Sequence, residues 1–113
     1  MSEKHISEIV LKVFLDENKI PEKLQWTAKD GGIVREESKA FLLSVWDNQK
    51  KETLKMDLWT KDMPLDDMKM FFYQTLLSLA ETFHRATNDE KMTETMKDFA
   101  FYFGEKMEII EKK

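Results

Sequence analysis

Residues 53–72 read TLKMDLWTKDMPLDDMKMFF, and the hydrophobic period changes within this stretch. Leu54, Met56 and Leu58 alternate with other residues, which is typical of the inward face of a strand. After this alternation the apolar residues recur at spacings of three and four, which is the period of a helix. Pro64 falls at the change, and the first helical turn tolerates a residue without a backbone N–H. The sequence therefore predicts strands before this point and helices after it.

The part before the change is predicted to form two β-hairpins. The four predicted strands lie at residues 5–15, 23–29, 39–47 and 53–60. Gly31 and Gly32 break the pattern after the second strand, and the polar residues 33–38 are interpreted as a connection. Residues 39–47 are apolar on both faces, so a short helix is an alternative to a strand there.

The part after the change is predicted to form two long helices over residues 62–110. Their apolar stripes comprise Met68, Phe72, Leu76, Leu79 and Phe83 on the first helix, and Met92, Met96, Phe99, Phe103, Met107 and Ile110 on the second. Thr87 and Glu90 have the spacing of a capping box, which predicts where the second helix begins. Gly104 lies inside that helix at a cost of about 1 kcal/mol relative to alanine.

These patterns predict an α+β fold in which a four-stranded antiparallel sheet, made of two hairpins, precedes two long helices. We expect a single domain over residues 1–113, since a chain of this length supports one core. Residues 1–60 would be mostly strands, and residues 111–113 would form a frayed tail.

The composition excludes many kinds of chemistry. The chain has no cysteine, two histidines and three glycines. It therefore has no disulfides, no thiolate nucleophile and no cysteine-ligated metal. We expect no catalytic residues, no bound metal and no cofactor.

The charge pattern argues against binding to nucleic acid. The net charge is −4, and the basic residues are interleaved with acidic ones instead of being clustered. The first ten residues lack the apolar core of a secretory signal, and the longest apolar stretch is far shorter than the roughly 20 residues of a membrane span. We expect a soluble, cytoplasmic protein without membrane insertion.

Two polar clusters invite a metal-site interpretation. Glu81 and His84 have the i, i+3 spacing of di-iron carboxylate proteins, but the remaining ligands of such a site are missing. Asp62, Asp66 and Asp67 lack the pattern of a calcium loop and are better explained by the start of a helix. We therefore interpret both clusters as structural.

The apolar residues exceed what one small core requires. Exposed apolar surface of more than a few hundred Å² marks interaction sites, so we predict an interaction surface and a homo-oligomer. The candidate surface residues are Val10, Phe14, Leu42, Trp46, Trp59, Phe71, Tyr73, Phe101 and Tyr102.

Three segments resemble the GldC family of gliding-motility proteins. They are LWTKDMP at residues 58–64, MKMFFYQT at residues 68–75 and ATNDEKM at residues 86–92. The resemblance runs from about Val13 to Lys106. It implies a cytoplasmic accessory protein of the gliding machinery and of type IX secretion, with protein partners but no established enzymatic activity, cofactor or functional residue set.

The predicted element order is also similar to that of the export chaperone SecB, which holds unfolded clients on apolar surface. That similarity is one of topology alone, without a shared motif. It adds an alternative function, a chaperone that holds unfolded export clients.

Overall fold

The computed structural model describes residues 5–111 and contains both strands and helices. The elements are β1 (Val10–Leu15), β2 (Pro21–Ala28), β3 (Ile33–Ser38), β4 (Ala40–Asp47), β5 (Glu52–Trp59), α1 (Leu65–Thr87) and α2 (Glu90–Lys106). Backbone contacts divide the chain into two units, the β-unit Met1–Met63 and the α-unit Pro64–Lys113. The expected frayed tail falls largely on residues 112–113, which lie outside the described residues.

The first sheet of the β-unit is antiparallel, with the strand order β1-β2-β3. Leu24 lies at the middle of the central strand and is almost completely buried. Residues 33–38, predicted as a connection, form the third strand instead. A short 3-10 turn and Gly32, with φ 76°, reverse the chain so that β3 lies beside β2. Its polar residues suit an edge strand, where charged side chains discourage pairing with other chains.

The second sheet consists of β4 and β5, which pair antiparallel along their whole lengths. Residues 40–47 therefore form a strand, and the helical alternative is wrong. Only Lys39 separates β3 from β4, and the Ser38 hydroxyl stabilises this corner by donating to the carbonyl of Ala40 at 2.7 Å. The α+β class is confirmed, but residues 5–111 form five strands, in sheets of three and two, instead of the predicted single sheet of four.

The α-unit is a helical hairpin whose helices are joined by only two residues. Asn88 takes a left-handed conformation, with φ 57°, and ends α1. Asp89 caps α2, because its side chain accepts a hydrogen bond from the Met92 N–H at 3.0 Å. The capping box predicted from Thr87 is not formed, since that residue is still helical and its hydroxyl donates to the carbonyl of Phe83.

Small residues line the contact between α1 and α2. The buried residues of the α-unit are Ala80, Thr93, Ala100 and Gly104. Of the eleven residues predicted for the core stripes, six are half-buried, namely Met68, Leu76, Phe83, Met96, Phe103 and Ile110. The other five are substantially exposed, namely Phe72, Leu79, Met92, Phe99 and Met107. The contact face is therefore displaced from the predicted stripes. Small side chains permit a close approach of the two helices, which the count of large apolar residues did not anticipate.

The second helix ends at Lys106, before the predicted end at Ile110. Glu108 is in the left-handed region, with φ 60°, and the Ile109 N–H donates to the carbonyl of Gly104 at 2.8 Å. This is the hydrogen-bond pattern of a Schellman motif, which reverses the chain. The reversal brings the side chain of Ile110 back against Gly104.

We predict that Gly104→Ala destabilises the protein, although alanine is the better helix former by about 1 kcal/mol. A Cβ at this position would lie 2.8 Å from Cε1 of Tyr73 and 3.1 Å from Ile110. Relieving such a clash costs about 1–3 kcal/mol. Urea unfolding monitored by circular dichroism would measure the loss.

The double variant Tyr73→Leu with Gly104→Ala tests the cause of that loss. Because leucine removes the aromatic Cε1, the alanine should cost less in this background than in the wild type. An increase in the free energy of unfolding on Gly104→Ala alone would contradict the close approach of the helices.

Candidate interaction surface

One face of the β4–β5 hairpin is apolar and largely uncovered. The register places Leu43 opposite Met56 and Val45 opposite Leu54, and these four side chains are between 40% and 53% exposed. Phe41 and Leu58 form the adjoining pair and are half-buried. We call these six residues the apolar hairpin face.

The sequence alternation predicted Leu54, Met56 and Leu58 as inward-facing. Only Leu58 is partly covered, and the expectation is wrong for the other two. Alternation states which residues share a face of a strand, but it does not state whether that face is covered. The exposed residues of this face were therefore missed as candidates for an interaction surface.

The opposite face of the hairpin carries three of the nine predicted surface residues. Trp46 and Trp59 are 58% and 55% exposed, whereas Leu42 is half-buried. The two tryptophans lie towards opposite ends of the hairpin, because Trp46 pairs with Thr53 and Trp59 with Ala40. The structure does not bring them together into one patch.

Between the tryptophans this face is charged. Lys55 Nζ lies 3.2 Å from Asp57 Oδ2, and both side chains are about half exposed. An exposed ion pair of this kind contributes little to stability. The position of this ion pair is of more interest than its energy, because β5 is an edge strand.

Val10 and Phe14 share one face of β1, and both are substantially exposed. The Lys23 ammonium lies over the Phe14 ring, 5.3 Å from the centroid. This cation–π contact joins cross-strand neighbours, since Phe14 pairs with Lys23 in the register. One face of the Phe14 ring is therefore partly covered by a side chain of the same sheet.

The four predicted surface residues of the α-unit have different environments. Phe101 and Tyr102 are exposed, whereas Phe71 and Tyr73 are half-buried. Tyr73 packs at the helix contact, against Gly104, and is a structural residue. The predicted site residues thus lie on several separate surfaces.

The segment that leaves β5 forms a polar junction within the β-unit. Thr60 is only 2% exposed, and its hydroxyl donates to Asp62 Oδ1 at 2.6 Å. The other oxygen of that carboxylate accepts from Lys39 Nζ at 2.7 Å. Lys61 Nζ donates to Asp16 Oδ2 at 2.8 Å. We call these five residues the polar junction.

The junction lowers the pKa of both of its carboxyl groups. The Lys61 ammonium, with help from the backbone N–H of Ile20, holds the pKa of Asp16 below its ordinary value of 3.8. Lys39 and the Thr60 hydroxyl lower the pKa of Asp62 in the same way. Asp62 was interpreted as part of a helix start, but it contacts the β-unit instead.

The polar residues of the helical hairpin do not assemble into a metal centre. Glu81 and His84 line a shallow depression near the helix connection, beside Lys97. Within residues 5–111 no three histidine or acidic side chains are grouped closely enough to hold a metal ion. Neither of the helices in that range has a segment with the length and apolarity needed to cross a bilayer.

Comparison with known protein families gives a match over most of the chain. The family model described as "Gliding motility-associated protein GldC-like" matches residues 21–109, which include most of the β-unit and nearly the whole helical hairpin. No curated protein and no solved structure gave a match to the chain.

We predict that the protein loses stability as the pH falls below about 3.8. The pKa values of Asp16 and Asp62 are lower in the folded state than in the unfolded state, so their ion pairs stabilise the fold above the unfolded value. That contribution disappears as the pH drops through the lowered, folded values. Urea unfolding at a series of pH values would measure the decline.

Two variants assign part of this pH dependence to the junction. Asp62→Asn and Lys39→Gln each remove one partner of the same ion pair, so both should flatten the dependence of unfolding free energy on pH. An unchanged slope in both variants would show that the titrating groups lie elsewhere.

Proposed function

Because the chain belongs to the GldC-like family of gliding motility-associated proteins, we propose that it is an accessory protein of gliding motility and type IX protein secretion. It acts in the cytoplasm, without catalysis, by binding a protein component of that machinery. It works as a homo-oligomer.

The apolar hairpin face is the observation that supports a binding role. Its exposed residues are consecutive cross-strand pairs, so they form a continuous patch on the strand pair. Isolated exposed apolar residues are ordinary on protein surfaces, but contiguous ones mark sites of interaction. A partner that covers this patch would remove four half-exposed side chains from water, which is a favourable contribution to binding.

The chemistry of the chain supports binding more than catalysis. The sequence has no cysteine, and its two histidines are far apart along the chain. His5 pairs with Asp30 at 2.9 Å in the β-unit, whereas His84 belongs to the helical hairpin. Neither arrangement provides a nucleophile together with a base that would activate it.

The chaperone alternative has its own supporting observation. Exposed apolar residues extend beyond the hairpin to β1 and to both helices, including Phe14, Leu79, Phe99 and Tyr102. Dispersed apolar surface suits unfolded clients, which have no fixed shape. The element order of five strands and two helices differs from the four strands expected for a SecB-like chain, so the analogy carries less weight.

We predict that charging the apolar hairpin face abolishes partner binding and gliding. The double variant Val45→Lys with Leu54→Lys places charges at two of the four exposed side chains of the patch, where a bound partner would bury them at high cost. The measurements are the recovery of known motility and secretion components with the tagged protein, and the movement of a deletion strain that expresses the variant.

The matched control changes the opposite face of the same strand pair. Ser44→Lys adds a charge there without touching the patch, so partner recovery and gliding should persist. Circular dichroism verifies that each variant is folded. Equal loss of gliding in both variants would contradict a role for the apolar face.

The chaperone alternative predicts suppression of aggregation. The protein should keep an unfolded model substrate in solution at equimolar concentration, as followed by light scattering. Replacing Trp46 and Phe14 with serine should weaken that effect. No suppression by the wild-type protein, under conditions where it is folded, would exclude this function.

A further inference from the structure

The outer edge of β5 is open in the described part of the chain. There β4 is the only strand hydrogen-bonded to β5, although β2 also makes a few contacts with it. The first six residues of β5, Glu52 to Asp57, are all exposed. A strand of this kind presents unpaired backbone donors and acceptors, which are a template for pairing with another strand.

The hydrogen bonds at the end of β5 show which residues face that edge. The Thr60 N–H donates to the carbonyl of Lys39, on the side of β4. The next N–H, that of Lys61, donates to the carbonyl of Pro21 on the other side. Because successive residues of a strand direct their backbone groups to alternate edges, the odd-numbered residues 53–59 offer theirs to the open edge.

The order of charges along β5 makes the strand complementary to itself. In an antiparallel pair centred on Met56, Lys55 of one chain lies opposite Asp57 of the other, and the same pair recurs on the far side of the axis. Leu54 then lies opposite Leu58. Opposite charges and apolar residues in such cross-strand positions stabilise a sheet.

The neighbouring registers lack this complementarity. Centring the pair on Lys55 places that lysine opposite itself, and centring it on Asp57 does the same with the aspartate. Like charges directly opposite each other destabilise a strand pair. A shift by a single residue would also mismatch the backbone donors and the two faces of the strand.

We propose that a second copy of this chain pairs antiparallel along β5, with the two-fold axis at Met56. The two hairpins then form one four-stranded sheet in the order β4-β5-β5-β4. A two-stranded sheet is marginal by itself, and adding strands stabilises it. The pairing ends at Trp59, because the next outward N–H, that of Lys61, is already bonded to Pro21.

The pairing also doubles the apolar hairpin face. Leu54 and Met56 of the two copies become neighbours across the axis, so two patches merge into one. This inference gives the geometry of the proposed homo-oligomer, and it does not require the proposed role in motility, because it involves this chain alone. Its test uses only the purified protein.

A single cysteine tests the position of the axis, because the wild-type chain has none. In the proposed pair the two Met56 Cβ atoms lie about 4.5–5.5 Å apart, within reach of a disulfide after a small adjustment. Met56→Cys should therefore form a covalent dimer under mild oxidation. Val45→Cys is the control, since Val45 is similarly exposed on the same face but lies on β4, away from the axis.

Charge reversal tests the register. Lys55→Asp and Asp57→Lys each place like charges opposite one another in a homodimer, and each should weaken dimerisation about tenfold or more. Mixing the two variants should restore it, because every cross-strand pair in the heterodimer is then complementary. This rescue separates pairing between chains from the ion pair within one chain.

Size-exclusion chromatography with light scattering and analytical ultracentrifugation provide the readout. Dimerisation of the wild type, preferential cross-linking through Met56→Cys and restoration by the mixed variants would support the proposal. A monomer at all concentrations, equal cross-linking through Val45→Cys, or no rescue in the mixture would overturn it. None of these results depends on a motility partner.

Discussion

The polar junction at the end of β5 holds the two sheets of the β-unit together. The buried Thr60 continues the ladder between β4 and β5, while Lys61 reaches the first sheet through Asp16 and the carbonyl of Pro21. Asp62 then returns to Lys39, at the corner between the sheets. Thr60, Lys61 and Asp62 each have a polar partner, because strands from both sheets meet at this segment. Its residues also belong to the stretch that most resembles the GldC family, and that membership is confirmed.

A second constraint concerns apolar surface. Few side chains are almost fully buried, and most of these are small. Many large apolar side chains retain a substantial exposed fraction. In the α-unit this follows from the close approach of two helices over alanine and glycine. In the β4–β5 hairpin the four side chains Leu43, Val45, Leu54 and Met56 on one face remain about half exposed. Both the proposed binding role and the proposed strand pairing make use of this exposed apolar surface.

The sequence predicted most of the elements because their periods are strong. The change from alternation to helical spacing near Pro64 separates strands from helices, as observed. It could not predict β3, because an edge strand such as residues 33–38 lacks an apolar stripe and is held mainly by its pairing with β2. It also assigned the helix contact to large residues such as Phe72 and Phe99, since hydrophobicity does not reveal where small residues allow two backbones to approach.

The sequence predicted only part of the candidate surface. Trp46 and Phe14 were recognised because they exceed the needs of a single core. Leu54 and Met56 were missed, since alternation along a strand does not show whether another element packs over the face that these residues share. The sequence nevertheless contains the charges of Lys55 and Asp57, which acquire significance only after β5 is identified as an open edge.

The pairing of elements that are neighbours in the chain has a consequence for how the protein folds. β1 pairs with β2, β2 with β3, β4 with β5, and α1 contacts α2, so almost every contact closes a short loop. Chains dominated by local contacts fold fast, because little loop entropy is lost before each contact forms. The contacts between the two sheets are the exception: Lys61 bonds to Asp16, 45 residues away, and to the carbonyl of Pro21, and β2 contacts β5. The junction is therefore the contact that joins the separately formed strand pairs into one β-unit.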